Sequence, residues 1–408
     1  MSNTTSTRRW TKTMLRLALF AVVVGQAFSG YAAEKIPAGL TLESLEINPA
    51  RVELQQKSDV AQLLITGWLE SGEQIDVTRM VKLVDQPAFV KVTEQRAIRP
   101  LADGQQKLRF EINGLSAEVD VEVKGMDTER EISFVQDVAP VLSKMGCNQG
   151  TCHGSKDGQN GFKLSLRGYD FLYDHRALTD DVRARRFNRA NPDQSLMLLK
   201  ASGGVAHVGG VLTRPGDREY ELLRQWILDG AKLDLEKPRV TSIELLPKNP
   251  ILPRANLLQQ MLVVATYSDG TVRDVTSDAF IESGNIEVLS AEPSGIVTTL
   301  RRGESPILAR FEGAYTATTI TVMGDRSGFV WEQPPTYNYV DELVYSKLER
   351  MRILPSGVCT DADFVRRVYL DLTGLPPRAS EVREFLNDPT ESRQKRAALI
   401  DKLIGSKE

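Results

Sequence analysis

The stretch Leu45-Glu46-Ile47-Asn48-Pro49 recurs as Ile243-Glu244-Leu245-Leu246-Pro247, and Asp76-Val77-Thr78 recurs as Asp274-Val275-Thr276. Both pairs are 198 positions apart (45 to 243 and 76 to 274), so the two copies align without a gap. Each copy ends in a run in which apolar and polar residues alternate, which is the period of a strand with one buried face. The chain therefore contains two related, strand-rich copies.

Each copy is predicted to form an all-β sandwich, over residues 41–125 and 240–325, because about 85 residues with several short strands are typical of that architecture. Ser71-Gly72 and Asp269-Gly270 lie between strand-like runs, where glycine permits the positive φ of a hairpin turn. The order of strand, turn, strand and Asp-Val-Thr resembles the bacterial immunoglobulin-like domain, group 2. The resemblance implies spacer or adhesion modules of a surface protein.

Three acidic residues of the second copy, Asp269, Asp274 and Asp278, offer oxygen ligands for calcium. They are equally typical of polar residues in turns and at strand edges. We favour the turn-and-edge interpretation.

The composition excludes several classes of protein. Fifty-one basic and 54 acidic residues give a net charge of −3, so nothing electrostatic favours nucleic-acid binding. Three cysteines cannot make a disulfide scaffold, and three histidines cannot serve a multi-haem cytochrome. Because histidine is so rare in this chain, a histidine inside a motif is stronger evidence of a functional role than it would be elsewhere.

Residues 1–33 are predicted to be a signal peptide. Arg8 and Arg9 belong to a basic start, Leu17 to Val24 is wholly apolar, and small residues follow. The apolar run is too short for a stable membrane span, although an uncleaved anchor is the alternative. We expect export to the periplasm or cell surface, by the general or the twin-arginine route, and no transmembrane segment beyond the signal.

The centre of the chain carries the motif Cys147-Asn148-Gln149-Gly150-Thr151-Cys152-His153-Gly154. It has the form C-x4-C-H, whereas the usual signal for c-type haem attachment is C-x-x-C-H. In such a signal two thiols bind the haem vinyl groups and the following histidine ligates the iron. Two additional residues separate the thiols here, and Gly150 is expected to help the longer loop bulge.

The flanking sequence is typical of a small all-α domain over residues 131–233. Apolar residues at helical spacing precede the motif, although Pro140 restricts where that helix begins. A loop-rich stretch follows, and then a helix from Asp217, a candidate N-cap, to Gly230, a candidate stop. Helix, motif, loops and an aromatic terminal helix occur in the same order in cytochrome c.

Two stretches, together with the motif, resemble the planctomycete-type cytochrome c family: Phe134-Val135-Gln136-Asp137-Val138-Ala139-Pro140-Val141 and Trp226-Ile227-Leu228-Asp229-Gly230-Ala231. Members are secreted and often carry immunoglobulin-like modules. The resemblance implies one covalently attached haem c, held by Cys147 and Cys152, with His153 as the proximal iron ligand.

The distal iron ligand is open between three alternatives. His207 lies in a glycine-rich loop just before the terminal helix, where cytochromes of this order place their distal loop, and it is preferred. Met197 is the second candidate but lies in an apolar run that is typical of a core. An open or water-ligated iron is the third. His175 has no partner motif and is interpreted as a surface or core histidine.

A disulfide and a zinc site are the alternatives to haem for the two cysteines. A Cys147–Cys152 disulfide is chemically accessible after export. Zinc binding would need a fourth ligand, and Cys359 is far away in another module. The histidine that directly follows Cys152 favours haem over both.

Residues 334–408 are predicted to be helical because their apolar residues recur with period 3.6. Phe364-Val365-Arg366-Arg367-Val368-Tyr369-Leu370-Asp371-Leu372-Thr373-Gly374-Leu375-Pro376 resembles the start of a planctomycete module of unknown function. That module is longer in its family, so we expect a truncated copy here. Cys359 is interpreted as an unpaired thiol.

The predicted fold class is multidomain: two all-β immunoglobulin-like sandwiches flanking an all-α cytochrome c-like domain, then a partial all-α C-terminal module. The predicted function is electron transfer by an exported single-haem cytochrome module in an envelope protein, with an unidentified redox partner and an envelope polysaccharide or protein as a further partner. The alternative is a haem-free adhesion or scaffold protein with a Cys147–Cys152 disulfide. An electron carrier or binding protein is favoured over a catalyst, because no residue set supports a specific reaction.

Overall fold

The structure is a computed structural model that describes residues 34–57, 59–127, 131–324, 326 and 328–406. The predicted signal peptide, residues 1–33, lies outside the described residues. The chain divides into two compact units, residues 1–325 and 326–408.

The first β module alternates buried and exposed side chains along its longest strands, as one-sided burial requires. Its strands form a three-stranded sheet in the order β1-β4-β5, a four-stranded sheet in the order β2-β10-β9-β6 and a three-stranded sheet in the order β3-β8-β7. The strands are β1 (Leu42–Asn48), β2 (Arg51–Leu54), β3 (Ala61–Gln62), β4 (Leu64–Leu69), β5 (Gln74–Asp76), β6 (Lys82–Leu83), β7 (Val90–Val92), β8 (Ala97–Pro100), β9 (Gly104–Ile112) and β10 (Leu115–Val123).

The second β module repeats this topology strand for strand, with sheets in the orders β11-β14-β15, β12-β20-β19-β16 and β13-β18-β17. In both modules the second strand pairs in parallel with the last, and the remaining pairs are antiparallel. The strands are β11 (Val240–Leu246), β12 (Ile251–Leu252), β13 (Leu258–Gln260), β14 (Leu262–Tyr267), β15 (Val272–Asp274), β16 (Phe280–Ser283), β17 (Leu289–Ala291), β18 (Ile296–Thr299), β19 (Gly303–Phe311) and β20 (Ala314–Val322).

The repeated Asp-Val-Thr accounts for how the two β modules are joined. Within each module the aspartate Oδ1 accepts a hydrogen bond from the threonine backbone N–H, at 2.8 Å for Asp76 and 2.9 Å for Asp274. The other carboxylate oxygen reaches across: Asp274 accepts from the backbone N–H of Gln62, and Asp76 from that of Gln260 at 2.7 Å. The contacts are reciprocal, because the same aspartate of each module accepts from the backbone of the other module. The buried apolar residues of the two modules form one continuous core.

The middle segment, residues 131–233, contains short helices and long irregular loops. Asp170 caps one helix by accepting from the backbone N–H of Tyr173, whereas Asp217, at the predicted cap, instead accepts from the backbone N–H of Arg214. Its helical elements are a π-helical turn (Phe134–Val138), α1 (Ala139–Lys144), a 3-10 turn (Leu166–Gly168), α2 (Phe171–Thr179), α3 (Asp181–Ala184), a 3-10 turn (Pro192–Gln194), α4 (Leu196–Ala201) and α5 (Arg218–Leu228).

The predicted fold class is wrong, above all in its all-α cytochrome c-like domain between two separate sandwiches. The chain is mostly β, and its longest helices, of 12 and 13 residues, lie near the C-terminus. Helical spacing of apolar residues predicts which side of a helix is buried but not how far the helix runs. Left-handed glycines at Gly146 and Gly168 end α1 and the following 3-10 turn, so the helical elements of the middle segment stay short. This segment also belongs to the same compact unit as both β modules, so the modules do not flank a separate body.

The C-terminal unit, residues 326–408, contains four helices among its described residues. A small core of its own includes Val365, Tyr369, Phe385 and Leu399. No helix among the described residues is long and apolar enough to cross a membrane. The helices are α6 (Tyr339–Arg350), α7 (Asp361–Thr373), α8 (Ala379–Asn387) and α9 (Ser392–Ile404).

Candidate functional site

The C-x4-C-H motif forms a compact loop that follows α1. The backbone N–H of His153 donates to the carbonyl of Cys147 at 3.0 Å, and that of Gly154 donates to Gln149 at 3.0 Å. Asn148 is buried, and its side-chain amide donates to Ser143 Oγ at 2.7 Å. These bonds close the loop, so the longer cysteine spacing is accommodated by local backbone pairing.

Gly154, rather than Gly150, is the glycine that this loop requires. A Cβ on Gly154 would lie 2.0 Å from the carbonyl oxygen of Asn148, a distance that no side chain tolerates. A Cβ on Gly150 would meet only Leu166, at 3.6 Å, which is ordinary contact. The expectation that Gly150 shapes the loop therefore does not agree with the backbone.

Cys147 and Cys152 are free thiols in the structure. Burial raises the pKa of the Cys147 thiol to about 12, with a smaller contribution from Cys152. Cys147 is thus protonated at neutral pH, which makes it a poor nucleophile for disulfide exchange.

The His153 imidazole is held by one backbone carbonyl. Its Nδ1 lies 3.0 Å from the oxygen of Phe162, and since a carbonyl can only accept, Nδ1 carries the proton. The Phe162 ring packs against the imidazole with centroids 4.5 Å apart. Burial lowers the pKa of His153, which favours the neutral ring. Its Nε2 is therefore left unprotonated, the form that binds a metal.

His207 is held in the same way from a different loop. Its Nδ1 lies 3.2 Å from the carbonyl oxygen of Gly210, and the backbone N–H of Gly210 donates to the His207 carbonyl at 3.0 Å. The imidazoles of His153 and His207 are parallel within 6°, with centroids 6.5 Å apart. Val205, Val208 and Val211 of the same loop are exposed.

Met197, the second candidate for the distal ligand, and His175, interpreted as a surface or core histidine, have contacts of their own. Met197 is half-buried and packs against the apolar cluster of the middle segment. His175 Nε2 contacts the carbonyl of Ala231 at 2.8 Å, and its ring lies edge-on to Phe134. Of the three candidate iron ligands, the structure thus brings together His153 and His207, whose ring centres are 6.5 Å apart.

The aspartates considered for calcium have separate partners. Asp269 accepts from the backbone N–H of Thr271, and Asp278 is bound in a two-point contact by Arg218, at 2.6 and 3.2 Å. Asp274 belongs to the contact between the β modules. Within the described ranges, no three His, Cys, Asp or Glu side chains form a group that could hold a metal ion by themselves. A haem iron needs only two protein ligands, because the porphyrin supplies the other four.

No pattern in the sequence pointed to Phe162 and Arg186 as neighbours of the candidate ligands. Arg186 is buried, and its guanidinium carbon lies 4.1 Å from the centre of the Phe162 ring. These residues are separated by irregular chain, and neither belongs to a periodic pattern or motif. No signal in the sequence connects them to the cysteine loop.

Comparison with known proteins identifies one region by family. Residues 339–408 match the model of PSCyt2, a protein of unknown function (DUF1549). The predicted C-terminal module of unknown function is thereby confirmed. The match lies within the C-terminal unit and gives no support to the resemblances to cytochrome c and to immunoglobulin-like modules.

Relatives by sequence and structure carry names that refer to ice binding, surface layers and extracellular domains. Ice-binding protein 1 of Shewanella frigidimarina is 35% identical over 274 residues, which are 66% of this chain and 27% of that protein. This chain thus spans about a quarter of the length of that relative. Domains 5–6 of the S-layer protein SbsC align over 69% of this chain and 99% of theirs, at 9% identity and a TM-score of 0.27. Extracellular domains 3–5 of Drosophila OTK align over 70% and 63%, at 7% identity and a TM-score of 0.15.

Proposed function

We propose that the chain carries one covalently attached haem c on Cys147 and Cys152, with His153 and His207 as axial iron ligands, and that it transfers electrons. The observation that carries the proposal is the pair of parallel imidazoles whose Nδ1 atoms both face backbone carbonyls. Each Nδ1 carries a proton and donates a hydrogen bond to its carbonyl. In the neutral ring, Nε2 is then unprotonated and available as a ligand.

The separation of the two ring centres is consistent with ligation of one metal by both imidazoles. A bond between a metal and an imidazole nitrogen is about 2 Å long, and the ring centre lies about 1 Å beyond the nitrogen. Two imidazoles on opposite sides of one iron would therefore have centres roughly 6 Å apart. The observed 6.5 Å is close to this value.

The state of the two cysteines is compatible with thioether formation. Both thiols are free. The hydrogen bond from the backbone N–H of His153 to the carbonyl of Cys147 keeps these two residues close together. The rival interpretation is a Cys147–Cys152 disulfide in a haem-free scaffold, which the mass of the exported protein distinguishes from a haem adduct.

The haem would supply an iron that alternates between two oxidation states. The residues of this chain set how easily it does so. Phe162 and Gly210 orient the two imidazoles through their carbonyl oxygens and strengthen them as ligands. Two histidines give a lower reduction potential than a histidine and a methionine, because thioether sulfur favours the reduced iron.

We further propose export to the periplasm or cell surface, where the β modules would hold the haem segment in the envelope. Support comes from the basic, apolar and small-residue order of the N-terminus and from relatives that are named for surfaces and ice. The electron partner, and an envelope polysaccharide or protein as a further partner, belong to this proposal.

Expression together with cytochrome c maturation proteins tests the assignment. The pyridine haemochrome spectrum should report one haem per chain, and mass spectrometry should find the haem on the peptide that contains His153. Cys147→Ala with Cys152→Ala should abolish the covalent haem, whereas Cys359→Ala should retain it. A colourless protein whose mass is lower by two hydrogens would instead establish the disulfide-bonded scaffold.

A further inference from the structure

A partly open cleft lies where the middle segment meets the second β module, inside one compact unit of the chain. One wall comes from α1 and the 3-10 turn at 166–168, and the other comes from β16 and the β19–β20 hairpin. Basic and aromatic side chains are prominent among the residues that line it, which include Lys144, Arg167, Asp278, Phe280, Arg310 and Tyr315.

The register of the second β module places one arginine of the cleft between two aromatic residues. Arg310 on β19 is directly opposite Phe280 on β16 and Tyr315 on β20. Residues that are directly opposite in an antiparallel pair lie on the same face of the sheet, so these three form one row. The guanidinium carbon of Arg310 lies 4.0 Å from the centre of the Phe280 ring, a cation–π contact that holds the guanidinium in this row.

Arg167 reaches the same row from the opposite wall. Its Nη1 donates to Tyr315 Oη at 3.1 Å. Its backbone N–H donates to the carbonyl of Asn148 at 2.9 Å, and its φ of 60° is in the left-handed region that favours glycine. The backbone thus holds an arginine side chain against the row from a position where glycine would be easier to accommodate.

The guanidiniums of Arg167 and Arg310 share one acidic neighbour. Glu282, an exposed residue of β16, is the acid that acts on both of them. Within the part of the chain that the structure describes, it forms a salt bridge with neither. Burial lowers the pKa of Arg310, and the like charge of Arg167 lowers it further. Two positive charges therefore face one negative charge in this row.

The other charged groups at the cleft balance one another. Asp278 is bound at two points by Arg218, and Lys144 donates to two backbone carbonyls. Charges of opposite sign act within two sets, Lys144 and Arg218 with Asp278 and Glu219, and Arg239 with Glu312. The excess at the cleft is thus one positive charge, shared by the two guanidiniums of the row.

We propose that Arg167 and Arg310 bind one carboxylate group of a ligand that enters this cleft from solvent. A guanidinium presents its N–H groups as a planar fork that matches a carboxylate, and one negative charge restores the balance. The Tyr315 ring is 57% exposed and borders the opening, where the remainder of the ligand would lie. This site is distinct from the pair of imidazoles, so the inference does not rest on the haem proposal.

Isothermal titration calorimetry of the purified full chain tests the site, at constant ionic strength with chloride as the reference salt. Three probes are titrated: acetate, which is a free carboxylate; a trimer of galacturonic acid, which carries carboxylates in a glycan; and the methyl ester of that trimer, which lacks the charge. Acetate and the acidic trimer should bind and the ester should not. Tighter binding of the trimer than of acetate would assign the carboxylate to a glycan, and equal affinities would assign it to a free acid.

Substitutions at the row should change the affinity in opposite directions. Arg310→Met and Arg167→Met should each weaken binding of the acidic probes by roughly ten- to a hundredfold, and the two lysine variants should lose less because they keep the charge without the fork. Glu282→Gln should strengthen binding, because it removes the acid that competes for both guanidiniums. A purely structural role of the arginines would not produce this gain.

Arg254→Met is the matched control, since Arg254 is an exposed arginine of the same β module. It should leave every affinity unchanged. Circular dichroism checks that each variant folds, and Arg310→Lys with Glu282→Gln keeps the test decisive if Arg310→Met does not fold. Absence of binding by acetate and the acidic trimer, equal binding of the trimer and its ester, or affinities that the arginine variants do not change would each overturn the proposal.

Discussion

The imidazole rings of His153 and His207 are parallel within 6°, and their centres are 6.5 Å apart. The two residues are 54 positions apart in the chain (153 to 207). Each is fixed by a carbonyl of its own loop, Phe162 for the first and Gly210 for the second. Two independent loops thus hold the two imidazoles in the same tautomer. This relationship gives the haem proposal a geometric basis that the motif alone lacks.

Replacement of His207 should change the coordination of the iron in the haem-loaded protein. His207→Ala is expected to convert the absorption spectrum from six-coordinate low-spin to five-coordinate high-spin, because the second imidazole is lost. His207→Met should raise the midpoint potential, since thioether sulfur favours the reduced iron. Met197→Leu is the control and should change neither property. A six-coordinate spectrum that survives His207→Ala and disappears in Met197→Leu would assign the ligand to Met197.

Gly154→Ala should disrupt the cysteine loop, because its Cβ would lie 2.0 Å from the Asn148 carbonyl oxygen. We expect a marked loss of covalent haem, measured by the haemochrome assay, with a lower melting temperature. Gly150→Ala is the matched control, since its Cβ has ordinary contact distances. Equal haem content in the two variants would show that the loop tolerates a side chain at both glycines.

Asp274→Ala should weaken the contact between the two β modules. It leaves the backbone N–H groups of Gln62 and Thr276 without their acceptor, which costs about 1–3 kcal/mol for each donor that stays buried and unpaired. Asp269→Ala, in an exposed turn, should lower the free energy of unfolding by clearly less. Urea unfolding at pH 7 measures both, and equal midpoints would mean that the reciprocal contact adds no stability.

Glu312→Gln should stabilise the protein increasingly as pH rises. Burial raises the pKa of Glu312 from 4.5 to about 7, and its Oε1 has no partner among the described residues. Between pH 4.5 and 7 the folded state keeps a proton that the unfolded state has lost, so the free energy of unfolding of the wild type falls as pH rises through this window. Glutamine removes that titration.

The free energy of unfolding of Glu312→Gln, relative to that of the wild type, should therefore grow across this range, by about 3 kcal/mol at pH 7 and above. Urea unfolding at several pH values measures it. Burial also raises the pKa values of Asp174 and Asp274 to about 6, but both residues are present in both proteins and cancel in the difference. A difference between Glu312→Gln and the wild type that does not change with pH would contradict the prediction.

Asp361→Asn should lower the melting temperature of the C-terminal unit at pH 7. Asp361 accepts hydrogen bonds from Lys395 and Arg396, of which Lys395 is nearly buried. The contacts with Lys395, Ser392 and Arg396 hold the pKa of Asp361 well below its usual range, so its contribution is present above pH 4 and lost as pH falls. The difference from wild type should shrink toward pH 2. Asp371→Asn, on an exposed face, should melt like the wild type throughout.

Part of the candidate site could be proposed from the sequence. The motif pointed to Cys147, Cys152 and His153 because covalent haem attachment has a local signature. His207 could be proposed only from its place in the order of elements. Arg186 and Phe162 could not be proposed at all, since neither a spacing nor a composition relates them to the motif.

The reciprocal Asp76 and Asp274 contacts show the same limit. The repeat is visible in the sequence, but the pattern there indicates only turn and edge residues. Their second carboxylate oxygens reach backbone N–H groups about 200 positions away, which no local pattern records. The predicted fold class is wrong for a related reason, because a helical period does not indicate how soon a helix ends.

By itself, the sequence determined the features that depend on neighbours along the chain: the strand period of the repeats, the cysteine-histidine motif and the helical C-terminal module. Tertiary structure alone decided which distant groups meet: His153 with His207, Arg186 with Phe162, and each β module with the other. Local patterns follow from the geometry of a single strand, turn or helix. Contacts between loops follow from how the whole unit buries its apolar surface and pairs its buried polar groups.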